Sequence, residues 1–184
     1  HILARSPGPS YQDLLDQEVN PVPESLRDNT NPYLGSENLS VDRYLSREFH
    51  DKEVEHVWQR TWQAVCRETE VGEPGDTHVY DITRFSIIVT RTTAGKLKAF
   101  RNACLHRGRQ LVDKNGNYEK FRCPYHAFTW SLEGDFKWAP CKWDFPHIKD
   151  EAFGLPEVQV DTWGGWVFIN MDLDAPSLQD YLGV

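Results

Sequence analysis

The sequence predicts a mainly β fold, an antiparallel sandwich or small barrels, preceded by an extended arm and one helix. Short β-type runs recur from Gln63 onward, and turn residues separate them. A helical pattern occurs once, ahead of these runs, and does not alternate with them, which argues against βαβ units. The length of 184 residues fits one domain, or one domain with an arm. The candidate strands are 63–67, 77–82, 85–91, 96–101, 119–122, 127–131, 157–161 and 165–170.

Residues 1–43 are predicted to form the extended arm. Proline recurs there among Ser, Asn and Gly, and each proline removes a backbone donor and restricts the residue before it. We expect at most one helical turn, near 11–18. The prolines are Pro7, Pro9, Pro21, Pro23 and Pro32.

The single helix is predicted over 51–62. Val54, Val57, Trp58 and Trp62 recur at spacings of three and four, which gives one apolar stripe. We expect this stripe to pack against the core.

The turns between the strands are predicted at four places rich in Gly and Asn. They are Ala94-Gly95, Asn115-Gly116-Asn117, Glu133-Gly134-Asp135 and Gly164-Gly165. The stretch 136–156 is aromatic and irregular, which predicts a loop over an apolar face or a shield that keeps water from a cofactor.

The charge pattern argues against some partners and suggests others. The net charge of −8 argues against a nucleic-acid binder. No apolar run is long enough to cross a bilayer, so we expect no membrane role and a cytoplasmic location. Residues 82–112 nevertheless carry +7 and no acidic residue. This window is either chance clustering or a docking surface for an acidic partner.

The residues that carry chemistry are Cys104-Leu-His106 and, after sixteen residues, Cys123-Pro-Tyr-His126. Two thiols and two imidazoles in closely spaced pairs are typical of metal ligands. Each pair follows a predicted strand, so two hairpin tips could meet at one site. Zinc accepts two Cys and two His, and so does a Rieske [2Fe–2S] centre. The mixing of one Cys with one His in each pair favours the two-iron cluster.

These two pairs, with Arg107-Gly108 after the first His, resemble the Rieske iron–sulfur signature. More narrowly, the chain resembles the N-terminal Rieske domain of the large (α) subunit of Rieske non-haem iron ring-hydroxylating oxygenases. The similarity runs from about Tyr44 to Leu173 and includes the closing strand 163–170. It implies a Rieske domain over 44–175, with 176–184 as the start of a linker to a catalytic domain that this chain lacks.

The resemblance also implies roles for particular residues. Cys104, His106, Cys123 and His126 are expected to hold one [2Fe–2S] cluster. Arg107, Gly108, Tyr125 and Trp130 are expected around it, with the Tyr125 ring over the cluster. Lys98, Arg101 and Arg109 of the basic window are expected to dock a partner.

The implied activity is electron transfer from a ferredoxin or flavin reductase to a mononuclear iron in the catalytic domain of the same or a neighbouring subunit. That iron, and its catalytic residues, are expected only outside this chain. A homotrimer or an α/β hetero-oligomer is implied for the full-length protein. The runner-up hypothesis is a stand-alone Rieske ferredoxin, and the third is a zinc-stapled binding module.

The chain departs from the family pattern after the second histidine, where Ala127-Phe128 replaces the usual Gly-Trp. Alanine implies that this position does not need a positive φ. The respiratory Rieske type has two further cysteines, at positions held here by Arg109 and Tyr125, and hydroxyl donors at positions held here by Phe128 and Trp130. Their absence predicts a low reduction potential, on the order of −150 mV.

Other Cys and His residues are predicted to play no part in the centre. Cys66 and Cys141 are interpreted as bystanders, and His147 as at most a minor candidate for a ligand or proton relay. His50, His56 and His78 are interpreted as surface or helix residues.

Overall fold

The computed structural model describes residues 8–27, 35 and 37–184. The chain divides into two compact units, residues 1–40 and 41–184. Across the described ranges, no helix is both long and apolar enough to span a membrane. The helices are α1 (Tyr11–Asp16), α2 (Glu24–Arg27), α3 (Asp42–Leu45), α4 (Arg47–Glu53) and α5 (Leu178–Leu182). The strands are β1 (Gln63–Arg67), β2 (Asp76–Ile82), β3 (Phe85–Arg91), β4 (Leu97–Arg101), β5 (Gly116–Asn117), β6 (Phe121–Arg122), β7 (Thr129–Trp130), β8 (Phe136–Trp138), β9 (Glu157–Trp163) and β10 (Trp166–Asn170).

The first unit contains two short helices rather than the single turn expected. Ser10 and Asp13 form a capping box that starts α1. Arg27 of α2 pairs with Asp16 of α1 at 2.6 Å. This ion pair is exposed, so it orders the arm only weakly.

The predicted helix 51–62 lies further toward the N-terminus than expected. Ser46 caps α4 by accepting a hydrogen bond from the Phe49 amide, so the helix begins at Arg47. A π-helical turn, Val54–Trp58, follows and ends the helix. Val54 is buried as expected, but Val57 is exposed, so only part of the apolar stripe packs on the core.

The larger sheet has the strand order β1-β10-β9-β4-β3-β2-β5 and is antiparallel throughout. Its inward side chains, among them Ile87, Val89, Val167 and Ile169, form one core. The strands β1 and β2 lie near opposite ends of this order, yet the Tyr80 hydroxyl of β2 donates to Oε1 of Gln63 on β1 at 3.2 Å. The sheet is therefore curled. The prediction of a mainly β antiparallel fold is therefore confirmed.

The smaller sheet, β6-β7-β8, lies between β4 and β9 along the chain, and the core on which it packs also includes Ile88 of β3 and Phe100 of β4. Two parts of this region differ from the sequence prediction. Gly116–Asn117, expected to be a turn, pairs with β2, and Phe136–Trp138, expected to be loop, forms β8. At the β7–β8 turn, Gly134 has φ 88°, and a Cβ there would lie 2.3 Å from Cε1 of Phe100. Only glycine fits this turn.

Candidate metal centre

The first cysteine–histidine pair lies on a tight loop directly after β4. The Cys104 amide donates to the Arg109 carbonyl at 2.8 Å, and the Gly108 amide donates back to the Cys104 carbonyl at 2.8 Å. Gly108 has φ 71°, a conformation that favours glycine. These bonds close a six-residue loop, 104–109, with Cys104 buried and His106 on the outward turn.

The second pair lies on an equivalent loop between β6 and β7. The Cys123 amide donates to the Phe128 carbonyl at 2.8 Å, and the Ala127 amide donates to the Cys123 carbonyl at 2.9 Å. Ala127 has φ 60°. The inference from its residue type, that the position needs no positive φ, is therefore wrong. The loop needs a left-handed residue here, and the hydrogen bonds at both ends hold alanine in that conformation despite its Cβ.

The two loops bring the predicted ligands together. The His106 and His126 rings lie 4.8 Å apart, centroid to centroid. Both Nδ1 atoms are buried, and within the described residues neither has a hydrogen-bond partner. Each residue is partly exposed, so burial is concentrated on the Nδ1 edge. Buried nitrogen atoms without a partner are costly unless something binds them, so these atoms fit metal coordination.

The thiols lie together as well. Cys104 and Cys123 are both buried, and the two thiols are near enough to interact electrostatically. Tetrahedral zinc would hold all four ligand atoms roughly 3.5–4 Å apart. In the part of the chain that the structure describes, no three of these four residues have ligand atoms within 4.8 Å of one another. Paired thiols and paired imidazoles in a wider arrangement fit two irons better than one zinc.

The electrostatics of the loops act on both ligand types. Burial raises the pKa of the Cys104 thiol above its ordinary value, and the neighbouring Cys123 raises it further. Burial lowers the pKa of His106, and the nearby His126 and Arg107 lower it further. This shift favours the neutral imidazole of His106, the form that a metal requires.

Asn102, to which the sequence analysis assigned no role, closes the base of the first loop. Its buried amide nitrogen donates to the Val112 carbonyl at 2.7 Å, and its amide oxygen accepts from the amides of Leu111 and Val112 at 3.0 and 3.1 Å. An amide side chain two residues before the first cysteine was the available signal.

Aromatic rings surround the histidines. Phe128 stacks on His106 at 4.7 Å with an interplanar angle of 10°, and Phe145 meets His106 edge-on at 5.9 Å. The exposed Tyr125 ring lies 3.8 Å from the ring of His126. Trp130 is fully buried behind Phe128 and donates its indole N–H to the Phe153 carbonyl at 2.8 Å.

The aromatic stretch 136–156 divides into two groups. Phe136, Phe145 and Phe153 pack on the core of the smaller sheet, as expected for a cover over an apolar face. Trp138 and Trp143 are exposed.

The basic residues expected to dock a partner are partly neutralised within the chain. Lys98 pairs with Glu157 at 2.6 Å and Arg109 with Asp113 at 2.8 Å. Arg101 lies over the Phe85 ring at 4.6 Å. Arg107 is exposed beside its ligand loop.

The remaining Cys and His residues are separate from the two loops. Cys141 and His147 are exposed, and His147 contacts the Phe145 ring. His50 and His56 lie on α4 and the π-helical turn. His78 is not a surface residue: its side chain is only 16 % exposed. It lies close to Cys66, which is buried.

The comparisons with known proteins agree with this geometry. A model of the Rieske [2Fe-2S] domain matches residues 61–149. The chain is 30 % identical to the α subunit of biphenyl 2,3-dioxygenase from Rhodococcus jostii, covering 76 % of this chain and 31 % of that protein. It is 31 % identical to the carnitine monooxygenase oxygenase subunit of Escherichia coli K12, and the match covers 76 % of this chain and 37 % of that protein.

Solved structures show the same relationship. An apo quaternary ammonium Rieske monooxygenase superposes with a TM-score of 0.73 at 30 % identity, over 77 % of this chain and 41 % of that one. Naphthalene 1,2-dioxygenase from Rhodococcus sp. superposes with a TM-score of 0.69 at 35 % identity, over 74 % of this chain and 32 % of that one.

The chain thus contains a Rieske [2Fe-2S] domain. The family model of this domain matches a range that includes both loops. This domain is homologous to that of the α subunits of Rieske oxygenases, biphenyl and naphthalene dioxygenases among them. The chain spans about a third of the length of these curated relatives.

Proposed function

We propose that this chain is the electron-entry domain of a Rieske non-haem iron oxygenase α subunit. One observation carries the proposal: two adjacent histidine rings each have a buried Nδ1 atom without a partner among the described residues, on loops whose cysteines are also buried. This arrangement offers two sulfur and two nitrogen ligands, which is the set that a Rieske [2Fe–2S] cluster takes. Residues 44–175 form the domain in this proposal, with 1–43 as its arm and 176–184 as the start of a linker.

Cys104 and Cys123 would hold one iron, and His106 and His126 the other. When bound, the cluster accepts and releases one electron at a time. The chain itself keeps water from the ligand atoms, through Phe128 and Phe145, and fixes the plane of the His106 ring. The partly exposed histidine rings provide the route by which an electron leaves the domain.

The proposed electron donor is a ferredoxin or flavin reductase, and the proposed acceptor is a mononuclear iron in a catalytic domain of the same or a neighbouring subunit. Phe128 and Trp130, the two positions where the respiratory type has hydroxyl donors, carry buried aromatic rings without a hydroxyl group. Fewer hydrogen bonds to the cluster sulfurs favour the oxidised state, so we expect a potential near the low end of the Rieske range, about −150 mV.

The cluster assignment is tested with Cys123→Ser and the matched control Cys141→Ser, an exposed cysteine away from the loops. We expect two irons per chain and the electron paramagnetic resonance signal of a reduced Rieske cluster in the wild type and the control. We expect neither in Cys123→Ser. A colourless wild-type protein that binds one zinc would overturn the proposal in favour of a zinc module.

Docking of an acidic donor is tested by the salt dependence of reduction. The basic window 82–112 lies around the first loop, although Lys98 and Arg109 are already paired within the chain. The reduction rate is expected to fall about tenfold between roughly 20 mM and 500 mM salt. A rate that does not change with ionic strength would exclude electrostatic docking.

A further inference from the structure

A second group of ligand-type side chains lies where the larger sheet curls back on itself. Cys66, Glu70 and His78 have ligand atoms that all lie within 4.8 Å of one another, the only such group among the residues that the structure describes. Cys66 lies on β1 and His78 on β2, strands that the hydrogen-bonded order of the sheet keeps apart. The Gln63–Tyr80 bond joins the same two strands.

Local structure aims each side chain at this point. One extra residue in β1, between the pairs Ala64–Phe168 and Cys66–Val167, forms a bulge, and a bulge re-aims the side chains beside it. Glu70 lies on the 3₁₀ turn Glu68–Val71 that follows β1. Its Oε1 accepts from the Arg67 amide at 2.9 Å, which leaves Oε2 facing His78.

The hydrogen bonds around His78 leave one conflict unresolved. The Val79 amide donates to Oδ1 of Asn115 at 2.8 Å, which fixes the orientation of that amide group. Nδ2 of Asn115 therefore faces Nδ1 of His78, at 3.0 Å, and since Nδ2 only donates, Nδ1 must present a lone pair. The same Nδ1 lies 3.6 Å from Oε2 of Glu70, so two electron-rich atoms face each other.

A proton on Nδ1 does not resolve this conflict, because it would point an N–H at the N–H of Asn115. A cation bound by the carboxylate, the imidazole and the thiol resolves it, once Nδ1 gives up its hydrogen bond from Asn115 and offers its single lone pair to the ion. The donors are a carboxylate oxygen, an imidazole nitrogen and a sulfur, a mixture that suits zinc and not magnesium or calcium.

We propose that Cys66, Glu70 and His78 bind a zinc ion that ties β1 to β2, apart from the two cluster loops. On binding, the Cys66 thiol loses its proton to solvent and the Zn–S bond forms, while Nδ1 of His78 exchanges its bond from Asn115 for the metal. Glu70 is half-exposed, so water can take the fourth position. Without the ion, burial and the nearby Glu70 raise the pKa of Cys66 to about 12 and keep it a thiol.

The site is tested on the cluster-loaded chain, without a histidine tag, dialysed against about 10 μM Zn²⁺ and analysed for zinc and iron. We expect one more zinc per chain in the wild type than in Cys66→Ser. Cys141→Ser, the matched exposed cysteine, should keep the wild-type content. An unchanged iron content and visible spectrum show that zinc has not entered the cluster loops.

A second variant and a second measurement guard against misfolding of Cys66→Ser. His78→Gln keeps a side chain that can bond to Asn115 but removes the imidazole ligand. We expect zinc to raise the unfolding temperature of the wild type and of Cys141→Ser, and not that of His78→Gln. Equal zinc content in the wild type and His78→Gln, or a wild-type affinity weaker than about 100 μM, would overturn the proposal.

Discussion

The two cysteine–histidine loops share one backbone but differ in the side chains on it. Each loop has six residues, counted from its cysteine. The cysteine amide donates to the carbonyl of the sixth residue, and the amide of the fifth residue donates to the cysteine carbonyl. The fifth residue is left-handed in both, with φ 71° at Gly108 and 60° at Ala127. The histidine is the third residue of the first loop and the fourth of the second.

The comparison of the two loops distinguishes the role of the backbone hydrogen bonds from the role of the side chains. The shared hydrogen bonds set the turn, and they do so with either glycine or alanine at the fifth position. The position of the histidine within the turn differs, and the Nδ1 atom is nevertheless buried in both loops. Both the turn and the side chains that support it therefore contribute to the position of each histidine.

The largest effect is expected at the base of the first loop. Asn102→Ala leaves Leu111 N–H, Val112 N–H and the Val112 carbonyl without their side-chain partner. At about 1 kcal/mol for each buried group, the free energy of unfolding should fall by about 3 kcal/mol. Urea unfolding followed by tryptophan fluorescence measures this change. The exposed Asn20→Ala is the control, and a loss below 1 kcal/mol would show that the backbone alone closes the first loop.

A smaller effect is expected where the second loop supports the first. Phe128→Leu removes the ring that stacks on His106 and should lower the free energy of unfolding by about 1.5 kcal/mol. Phe136→Leu, a buried ring that packs on Phe128 instead, is the matched control for stability. Only Phe128→Leu should shift the resonance spectrum of the reduced protein, because only it frees the plane of His106. Identical spectra would contradict this role.

The smallest effect tests the fifth position directly. Gly108→Ala should destabilise the chain by about 1 kcal/mol, since no atom lies within 4 Å of the new Cβ and only the left-handed backbone is strained. Ala127→Gly should stabilise it by about 0.5 kcal/mol, because relief of that strain exceeds the added flexibility of the unfolded chain. If Ala127→Gly destabilises the chain instead, the second loop depends on the alanine methyl group.

Much of this architecture could be predicted from the sequence, and the exceptions have physical reasons. β1 and β3 lie where their alternating and apolar patterns indicate. The pair Gly116–Asn117 was expected to be a turn because its composition is typical of one, and only tertiary pairing with β2 makes it a strand. β8 could not be predicted, because three residues are too few to show the alternation of buried and exposed side chains that marks a strand.

The candidate site shows the same division. Residue type and spacing identified the four ligand candidates, whose roles stay a prediction. The residue type of Ala127 did not predict its conformation. That conformation depends on two backbone hydrogen bonds, from the Ala127 amide to the Cys123 carbonyl and from the Cys123 amide to the Phe128 carbonyl. The role of Asn102 depends on hydrogen bonds to Leu111 and Val112, and the neighbourhood of Cys66 depends on contacts between distant strands. Local sequence patterns record neither.

The curl of the larger sheet also bears on the order in which the chain comes apart. Within the described residues β1 has a backbone ladder only with β10, and side chains alone join it to β2. Amide hydrogens along that outer side of β1 should therefore exchange with solvent sooner than those of β3, which is laddered on both sides. Local opening there detaches β1, which contributes no residue to the core around the two loops, so these loops can outlast partial unfolding of the larger sheet.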